Sequence, residues 1–265
     1  MISSKDLKQA RPKIRTRTHV FLQFLVAGLA TFTQQPAFPE TLNIAVAANF
    51  KVTLEKLVTN EDFKFDHELK ISSGSTGSLY TQIVNGAPFN VFLAADMHRP
   101  RLLEQGGLVR QGSRKTYAIG QLVLWAPGAS SPVTEEYLSL FTANLAIANP
   151  KTAPYGLAAL QLLANLDVSD PRIITGENVA QAYQFVHTGN AQAGLVSLSQ
   201  VISQGIDPFF YWQIPQQYYE PIEQQMVILD ASPASIEFTN YLISETARDA
   251  ITRSGYQVPG NPHRD

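Results

Sequence analysis

Short apolar runs alternate with amphipathic stretches along the chain from Thr41 onward. The runs are three to six residues long and rich in aliphatic and β-branched side chains, as in strands buried inside a sheet. Their positions are 42–47, 67–71, 91–94, 122–125, 145–148, 194–196 and 226–229. Between them, apolar residues such as Leu54, Leu57 and Val58 recur at helical spacing. Strands that alternate with helices predict an α/β fold, with parallel sheets covered by helices on both faces.

The first 38 residues have a different pattern. A stretch rich in Lys and Arg is followed by the charge-free run His19–Ala30, and small residues lie near the end of that run. This order is typical of a secretory signal peptide, so we predict a signal peptide over 1–38 with cleavage at about 30–37. An uncleaved membrane anchor is the alternative, but the apolar run is shorter than the roughly 20 residues of a spanning helix.

Composition excludes several classes of site. The chain has no cysteine, which excludes a disulfide scaffold and any cysteine-ligated zinc or iron–sulfur site. Its five histidines form no HExxH pair, and the chain contains no Gly-x-Ser-x-Gly. The net charge of −2 becomes about −7 once residues 1–38 are left out. Such an acidic domain is not expected to bind nucleic acid, because phosphate contacts need clustered Lys and Arg.

Four segments place small and hydroxyl residues directly before a predicted helix. They are 47–49, 72–77, 149–156 and 176–179. A helix start exposes unpaired backbone N–H groups and the positive end of the helix dipole, which together favour an anion. Each start acts as roughly half a positive charge, so four that converge would suit a doubly charged oxyanion. The same residue types are also ordinary N-caps, so none of the four segments identifies a site by itself.

A family resemblance connects these segments. The motifs that carry it are Ile44–Asn49, Gly74–Gly77, Asn85–Asp96, Ala146–Gly156, Gly176–Val186 and Tyr219–Ile222. In this order, the motifs resemble those of the molybdate-binding proteins of ABC transporters. The resemblance implies a type II periplasmic binding fold, in which two α/β lobes enclose a ligand cleft. It places lobe 1 at 39–120 plus 223–265, and lobe 2 at 121–222.

The resemblance also implies a set of ligand-binding residues. The set is Ala48, Asn49, Ser75, Thr76, Tyr155 and Val179. Asn49 would use its side-chain amide and backbone N–H, and Thr76 its hydroxyl and N–H. Ser75 is the neighbouring candidate if the register differs by one. Tyr155 and Val179 would contribute backbone N–H groups only.

One family position stays open in this sequence. Some members have a tyrosine that reaches the ligand from the strand equivalent to 194–197, and here the position is Ser197. In another branch of the family an asparagine serves at the first contact position and this tyrosine is absent, as in the present chain. We therefore leave the participation of Ser197 undecided.

The expected function is capture of molybdate or tungstate in the periplasm and delivery to the membrane permease of an ABC transporter. The resemblance implies a monomer without catalysis, cofactor or cation site. Both oxyanions are fully deprotonated, so a pocket of N–H and O–H donors suits them. Binding of another tetrahedral oxyanion, such as sulfate or phosphate, is an open alternative. An enzyme with a substrate cleft is a more remote one, because Glu177 is the only acid in the four segments and is expected to stabilise its helix start.

Overall fold

The structure is a computed structural model, and it describes residues 39–260 apart from Asp167 and Ser169. The predicted signal peptide lies outside the described residues. Within them, no helix is long and apolar enough to cross a membrane.

The described residues form strands and helices in close alternation. The strands are β1 (Thr41–Ala47), β2 (Glu68–Gly74), β3 (Val91–Leu93), β4 (Lys115–Gly120), β5 (Leu122–Trp125), β6 (Asn144–Ala148), β7 (Arg172–Gly176), β8 (Ala193–Ser197), β9 (Tyr211–Gln213) and β10 (Ile222–Ile228). The helices are α1 (Lys51–Val58), α2 (Thr76–Val84), α3 (His98–Gln105), α4 (Glu135–Ser139), α5 (Pro154–Asn165), α6 (Val179–His187), α7 (Leu198–Ser203), α8 (Pro233–Leu242) and α9 (Glu245–Arg253). The predicted α/β class is therefore confirmed.

The strands make two five-stranded sheets. The first has the order β2-β1-β3-β10-β4, and the second has the order β7-β6-β8-β5-β9. In each sheet a parallel trio is extended by antiparallel strands: β10 runs against β3 and β4, and β5 runs against β8 and β9. The predicted parallel sheets are thus present in the two trios, and the antiparallel strands beside them were not predicted. The chain passes from one sheet to the other between β4 and β5 and returns through 214–221, so β10 enters the first sheet in the opposite direction.

Each sheet has its own hydrophobic core. The first sheet, with the helices that cover it, forms a half with apolar clusters on both of its faces, which include Phe50 and Phe238 on one face and Leu79 and Phe92 on the other. The second sheet and its helices form another half, with a continuous core that includes Trp125. Two separate cores make each half internally rigid, so the surface where the first half and the second half meet is the natural place for a cleft.

Helix α5 approaches the second sheet without room for a side chain at one point. A Cβ atom on Gly156 would lie 2.2 Å from the carbonyl oxygen of Ala148, at the end of β6. Because that neighbour is backbone, it cannot turn aside. The close approach fixes the first turn of α5 against the strand end.

We predict that Gly156→Ala lowers the free energy of unfolding by about 1–3 kcal/mol, because overpacking outweighs the gain in helix propensity. Urea unfolding measures the change. Gly128→Ala is the control, because a Cβ at Gly128 meets nothing within 4 Å. A Gly156→Ala protein as stable as the wild type would show that α5 does not pack this tightly.

Candidate functional site

Four helix starts lie at the junction of the two halves. Helices α1 and α2 follow the parallel strands β1 and β2 of the first sheet, and α5 and α6 follow β6 and β7 of the second. The carboxyl ends of parallel strands share one edge of a sheet, which is where α/β proteins commonly bind ligands. The two edges face each other, so all four starts border one small cavity.

The cavity is very small, with a volume of about 10 Å³, and the residues that line it come from both halves. They are Ala47, Ala48, Asn49, Gly74, Ser75, Thr76, Ala95, Ala153, Pro154, Tyr155, Asn178 and Val179. All six residues of the predicted set are among them. The described residues of the lining carry no ionisable carboxylate, ammonium or guanidinium, so its polarity comes from amides and hydroxyls.

Backbone N–H groups at the four starts remain available to a ligand. Within the described chain, the N–H groups of Asn49, Thr76, Tyr155 and Val179 have no hydrogen-bond acceptor. Ala48 differs, because its N–H donates to the carbonyl oxygen of Gly74 at 2.9 Å. Ala48 therefore lines the cavity without offering it a free donor. Four unpaired donors around one cavity are a strong reason to expect an acceptor there, since buried backbone groups are nearly always paired.

The capping of α6 leaves the first helical N–H open. The side-chain oxygen of Asn178 accepts from the N–H groups of Ala180 and Gln181, at 3.0 and 3.1 Å. The cap therefore satisfies the second and third residues of α6 but not Val179. Glu177 is exposed and does not line the cavity, so the one acid of these segments has no place in the site.

The two neighbouring hydroxyls of the predicted set have different roles. Ser75 is the N-cap of α2: its oxygen accepts from the Ser78 N–H at 3.3 Å, and its hydroxyl donates to Ser78 Oγ at 2.8 Å. Thr76 Oγ1 accepts from the Ala95 N–H at 3.0 Å, which leaves the hydroxyl hydrogen without an acceptor in the described chain. The geometry therefore favours Thr76 as the donor to a ligand, and Ser75 as the cap that shapes the helix start.

The side chain of Asn49 is anchored in a buried network behind the cavity. Its amide nitrogen donates to Gln224 Oε1 at 3.0 Å and to Tyr256 Oη at 3.1 Å. Both amide hydrogens are therefore used in hydrogen bonds inside the protein. The backbone N–H of Asn49 is the donor that remains at the cavity.

The same network crosses between the halves. Tyr256 Oη lies 2.8 Å from the carbonyl oxygen of Asn49 and 2.9 Å from Ser199 Oγ, and Ser199 belongs to α7 in the second half. Ser199 Oγ also lies 3.2 Å from the Asn49 carbonyl oxygen. Sequence patterns did not identify Ser199 or Tyr256. The glutamines at 224 and 225, next to the apolar end of β10, are a sequence signal that could have indicated buried polar groups.

Ser197 does not reach the cavity. It is fully buried and forms a capping box with Gln200 at the start of α7, and its hydroxyl lies 3.0 Å from Ser199 Oγ. The position that the family resemblance left undecided is therefore used here to start a helix.

Contacts at the mouth of the cavity bring the halves together. The N–H of Gly77 donates to the carbonyl oxygen of Thr152 at 2.8 Å, and the Arg99 guanidinium donates to the carbonyl oxygen of Lys151 at 3.1 Å. A Cβ on Gly77 would lie 3.0 Å from Thr152 Cα, so glycine permits this approach. The cavity is small because these segments are in contact.

A larger groove of about 370 Å³ opens beside the cavity. Its lining includes the carboxylates of Asp96, Glu220 and Glu223 together with Arg99 and Lys151. Mixed charge with an excess of carboxylates does not suit a dianion, so the smaller neutral cavity is the better candidate. Among the residues that the structure describes, no cluster of three or more His, Asp or Glu side chains could hold a metal cation.

A comparison with protein families decides the class. The model described as bacterial extracellular solute-binding protein matches residues 42–257. The chain belongs to this family. Its membership confirms the prediction of a solute-binding protein rather than an enzyme.

Relatives of this solute-binding protein include two proteins named molybdate-binding protein ModA. The one from Azotobacter vinelandii is 42% identical over 241 residues, which cover 88% of this chain and 94% of the relative. The one from Rhodobacter capsulatus is 38% identical over 239 residues, which cover 88% and 92%. The solved structure of the Azotobacter vinelandii periplasmic molybdate-binding protein matches with a TM-score of 0.77 and 38% identity, over 82% of this chain and 99% of that one. The predicted periplasmic binding protein fold is thereby confirmed.

The tyrosines behind the cavity are held in the neutral form. Burial raises the pKa of Tyr256 to about 12, although its hydrogen bonds with Ser199 and Asn49 act in the lowering direction. Burial, and in second place the neighbouring Tyr256, raises the pKa of Tyr117 and Tyr155 well above the ordinary value of about 10. These phenols therefore remain hydrogen-bond donors at neutral pH.

We predict that the free energy of unfolding falls as the pH rises from about 10 to about 12, because the unfolded phenols ionise near 10 while the folded ones stay protonated. Urea unfolding at a series of alkaline pH values measures this slope. Tyr256→Phe should make the slope shallower, because one raised pKa is removed. An unchanged slope in that variant would contradict the burial of the Tyr256 hydroxyl.

Proposed function

We propose that this protein binds molybdate or tungstate in the cavity between its two halves. The observation that carries the proposal is the ring of four unpaired backbone N–H groups, from Asn49, Thr76, Tyr155 and Val179, around a neutral cavity. A fully deprotonated dianion only accepts hydrogen bonds, so it can satisfy all four donors at once. The two relatives named as molybdate-binding proteins support the choice of ligand.

The positive ends of four helices supply the attraction. The N–H groups at each start represent roughly half a positive charge, so the four together approach the charge of the ligand with opposite sign. Because the donors are neutral, release of the anion does not require its separation from a fixed cation. The Thr76 hydroxyl adds one further donor, whereas Ser75 and Ala48 contribute shape.

Selectivity rests on protons and on size. Phosphate carries a hydrogen at neutral pH, and this hydrogen would be buried without an acceptor at a cost of about 1–3 kcal/mol. Sulfate has the same charge as molybdate but shorter bonds, so its rejection depends on how closely the donors surround the cavity. Molybdate and tungstate have nearly the same size, and both are expected to bind.

Closure of two lobes around the anion completes the proposal. Lobe 1 would be 39–120 plus 223–265, and lobe 2 would be 121–222, in keeping with the division of the strands between two sheets. The contacts of Gly77 with Thr152 and of Arg99 with Lys151 would form as the lobes close. Hinge closure of this kind is common in periplasmic binding proteins.

The family and the predicted signal peptide suggest where the protein acts. We propose that residues 1–38 direct export to the periplasm, that the protein acts as a monomer without a cofactor, and that the closed form delivers its anion to the permease of an ABC transporter. The acidic charge of the exported part supports a role without nucleic acid.

Thermal unfolding in the presence of four anions tests the ligand. We predict that molybdate and tungstate raise the melting temperature while sulfate and phosphate do not, because a ligand at a hundred times its Kd adds about 2.7 kcal/mol of stability. Chloride at equal ionic strength is the control. A rise with sulfate or phosphate would identify another oxyanion as the solute, and no rise with any of the four would refute the proposal.

A pair of neighbouring substitutions tests the assignment of the hydroxyls. Thr76→Val keeps the shape of the side chain but removes the hydroxyl that would donate to the charged ligand. The free energy of molybdate binding should therefore weaken by about 1–3 kcal/mol. Ser75→Ala removes a helix cap, so it should lower the stability of the ligand-free protein by about 1 kcal/mol with a smaller loss of affinity. Isothermal titration and urea unfolding of both variants separate the two effects, and the reverse result would assign the contact to Ser75.

A further inference from the structure

Gln224 occupies an unusual position in the sheet. It is fully buried in β10, and the register between β10 and β4 shifts between Gln224 and Gln225. A β-bulge of this kind turns a side chain away from the regular alternation and is frequent beside functional sites. Here the irregularity allows two consecutive glutamines to be buried, with Gln224 directed to the polar cluster behind the cavity.

One end of the Gln224 amide holds the first half of the site. Its Oε1 accepts from Asn49 Nδ2 at 3.0 Å and from Tyr117 Oη at 3.1 Å. Tyr117 and Asn49 both belong to the first half, and Phe50 packs edge-on against the Tyr117 ring. Gln224 therefore fixes the residue whose backbone N–H lines the cavity.

The other end of the amide faces the second half. Gln224 Nε2 and Tyr155 Oη are both buried, and within the described residues neither has a hydrogen-bond partner. They approach the same point, because a Cβ on Gly120 would lie 2.8 Å from the first and 2.2 Å from the second. The absent side chain of Gly120 leaves the space in which the two groups can meet.

We propose that Gln224 is a positioning residue for the oxyanion site, whose Nε2 donates to Tyr155 Oη when the anion is bound between the halves. This rests on the proposed function. One amide would then hold Asn49 from the first half and Tyr155 from the second, and so set the spacing between their backbone N–H groups. Gln224 itself does not line the cavity, so it acts on the anion only through these two residues.

The physical reason is that two buried polar groups face each other and stay unpaired without the anion, although the halves are already in contact at Gly77 and Thr152. An unpaired buried donor is unfavourable, whereas a hydrogen bond inside the protein removes that penalty. Formation of the Gln224–Tyr155 bond would therefore favour the same closed spacing that the anion requires. Loss of either partner should weaken anion binding although the anion touches neither side chain.

A double-mutant cycle tests this coupling. The variants are Gln224→Met, Tyr155→Phe and the double variant, and the measurement is the Kd for molybdate by isothermal titration. Each single substitution should raise the Kd roughly 10-fold, and the double variant should bind no more weakly than the weaker single variant, because both remove the same hydrogen bond. Circular dichroism confirms that each variant is folded. Tyr155→Phe keeps the ring and the backbone N–H, so its loss of affinity tests the same bond if Gln224→Met does not fold.

Gln225→Met is the matched control. Gln225 is the next residue of the same strand and is also buried, but it contacts Arg114 and Thr116 instead of the cluster. Its substitution should leave the Kd unchanged. An equal loss in Gln225→Met, additive losses in the double variant, or unchanged affinity in both single variants would each overturn the positioning role. A wild-type protein that binds no molybdate would instead refute the proposed function, which separates the two failures.

Discussion

The arrangement of this protein depends on the backbone N–H groups that a helix leaves unpaired at its start. Burying such a group is unfavourable unless an acceptor is present, and here four of them border one small cavity. Caps satisfy the later residues of the first turn in α2 and α6, which leaves the earliest N–H exposed to the cavity. The fold thus places unpaired donors and the positive ends of helices around the cavity. A dianion without hydrogens could accept hydrogen bonds from all of these donors.

The neutral lining matters because residues 39–265 carry a net charge of about −7. Such a charge repels an anion at long range, so the proposed binding would depend on the place where the helix dipoles converge. Attraction by dipoles instead of fixed cations makes the site depend on the exact spacing of the four starts. Under the proposed function, contacts such as the hydrogen bond from Gly77 to Thr152, which joins the halves, would help to set that spacing.

The polar cluster behind the cavity links that spacing to the junction of the halves. Asn49, Tyr256 and Ser199 form a buried set of hydrogen bonds from the first half to the second. Buried networks of this kind are specific, because each unpaired member is unfavourable. The cluster occupies the region where the chain passes from one sheet to the other, so a change in the angle between the halves would alter its hydrogen bonds as well as the cavity.

The α/β class and the positions of the helix starts could be read from the sequence, and the family resemblance predicted six binding residues that the structure brings to one cavity. These follow from local patterns: apolar runs, caps such as Asn178 and the family motifs that surround Asn49 and Tyr155. Only the tertiary structure decided that the Asn49 amide is directed to Gln224 and Tyr256, that Ser75 caps while Thr76 has a free hydrogen, and that Ser197 begins a helix. Local sequence cannot give these roles, because a donor's direction depends on which distant groups accept its hydrogens, and residues 49, 224 and 256 meet only after both sheets have formed.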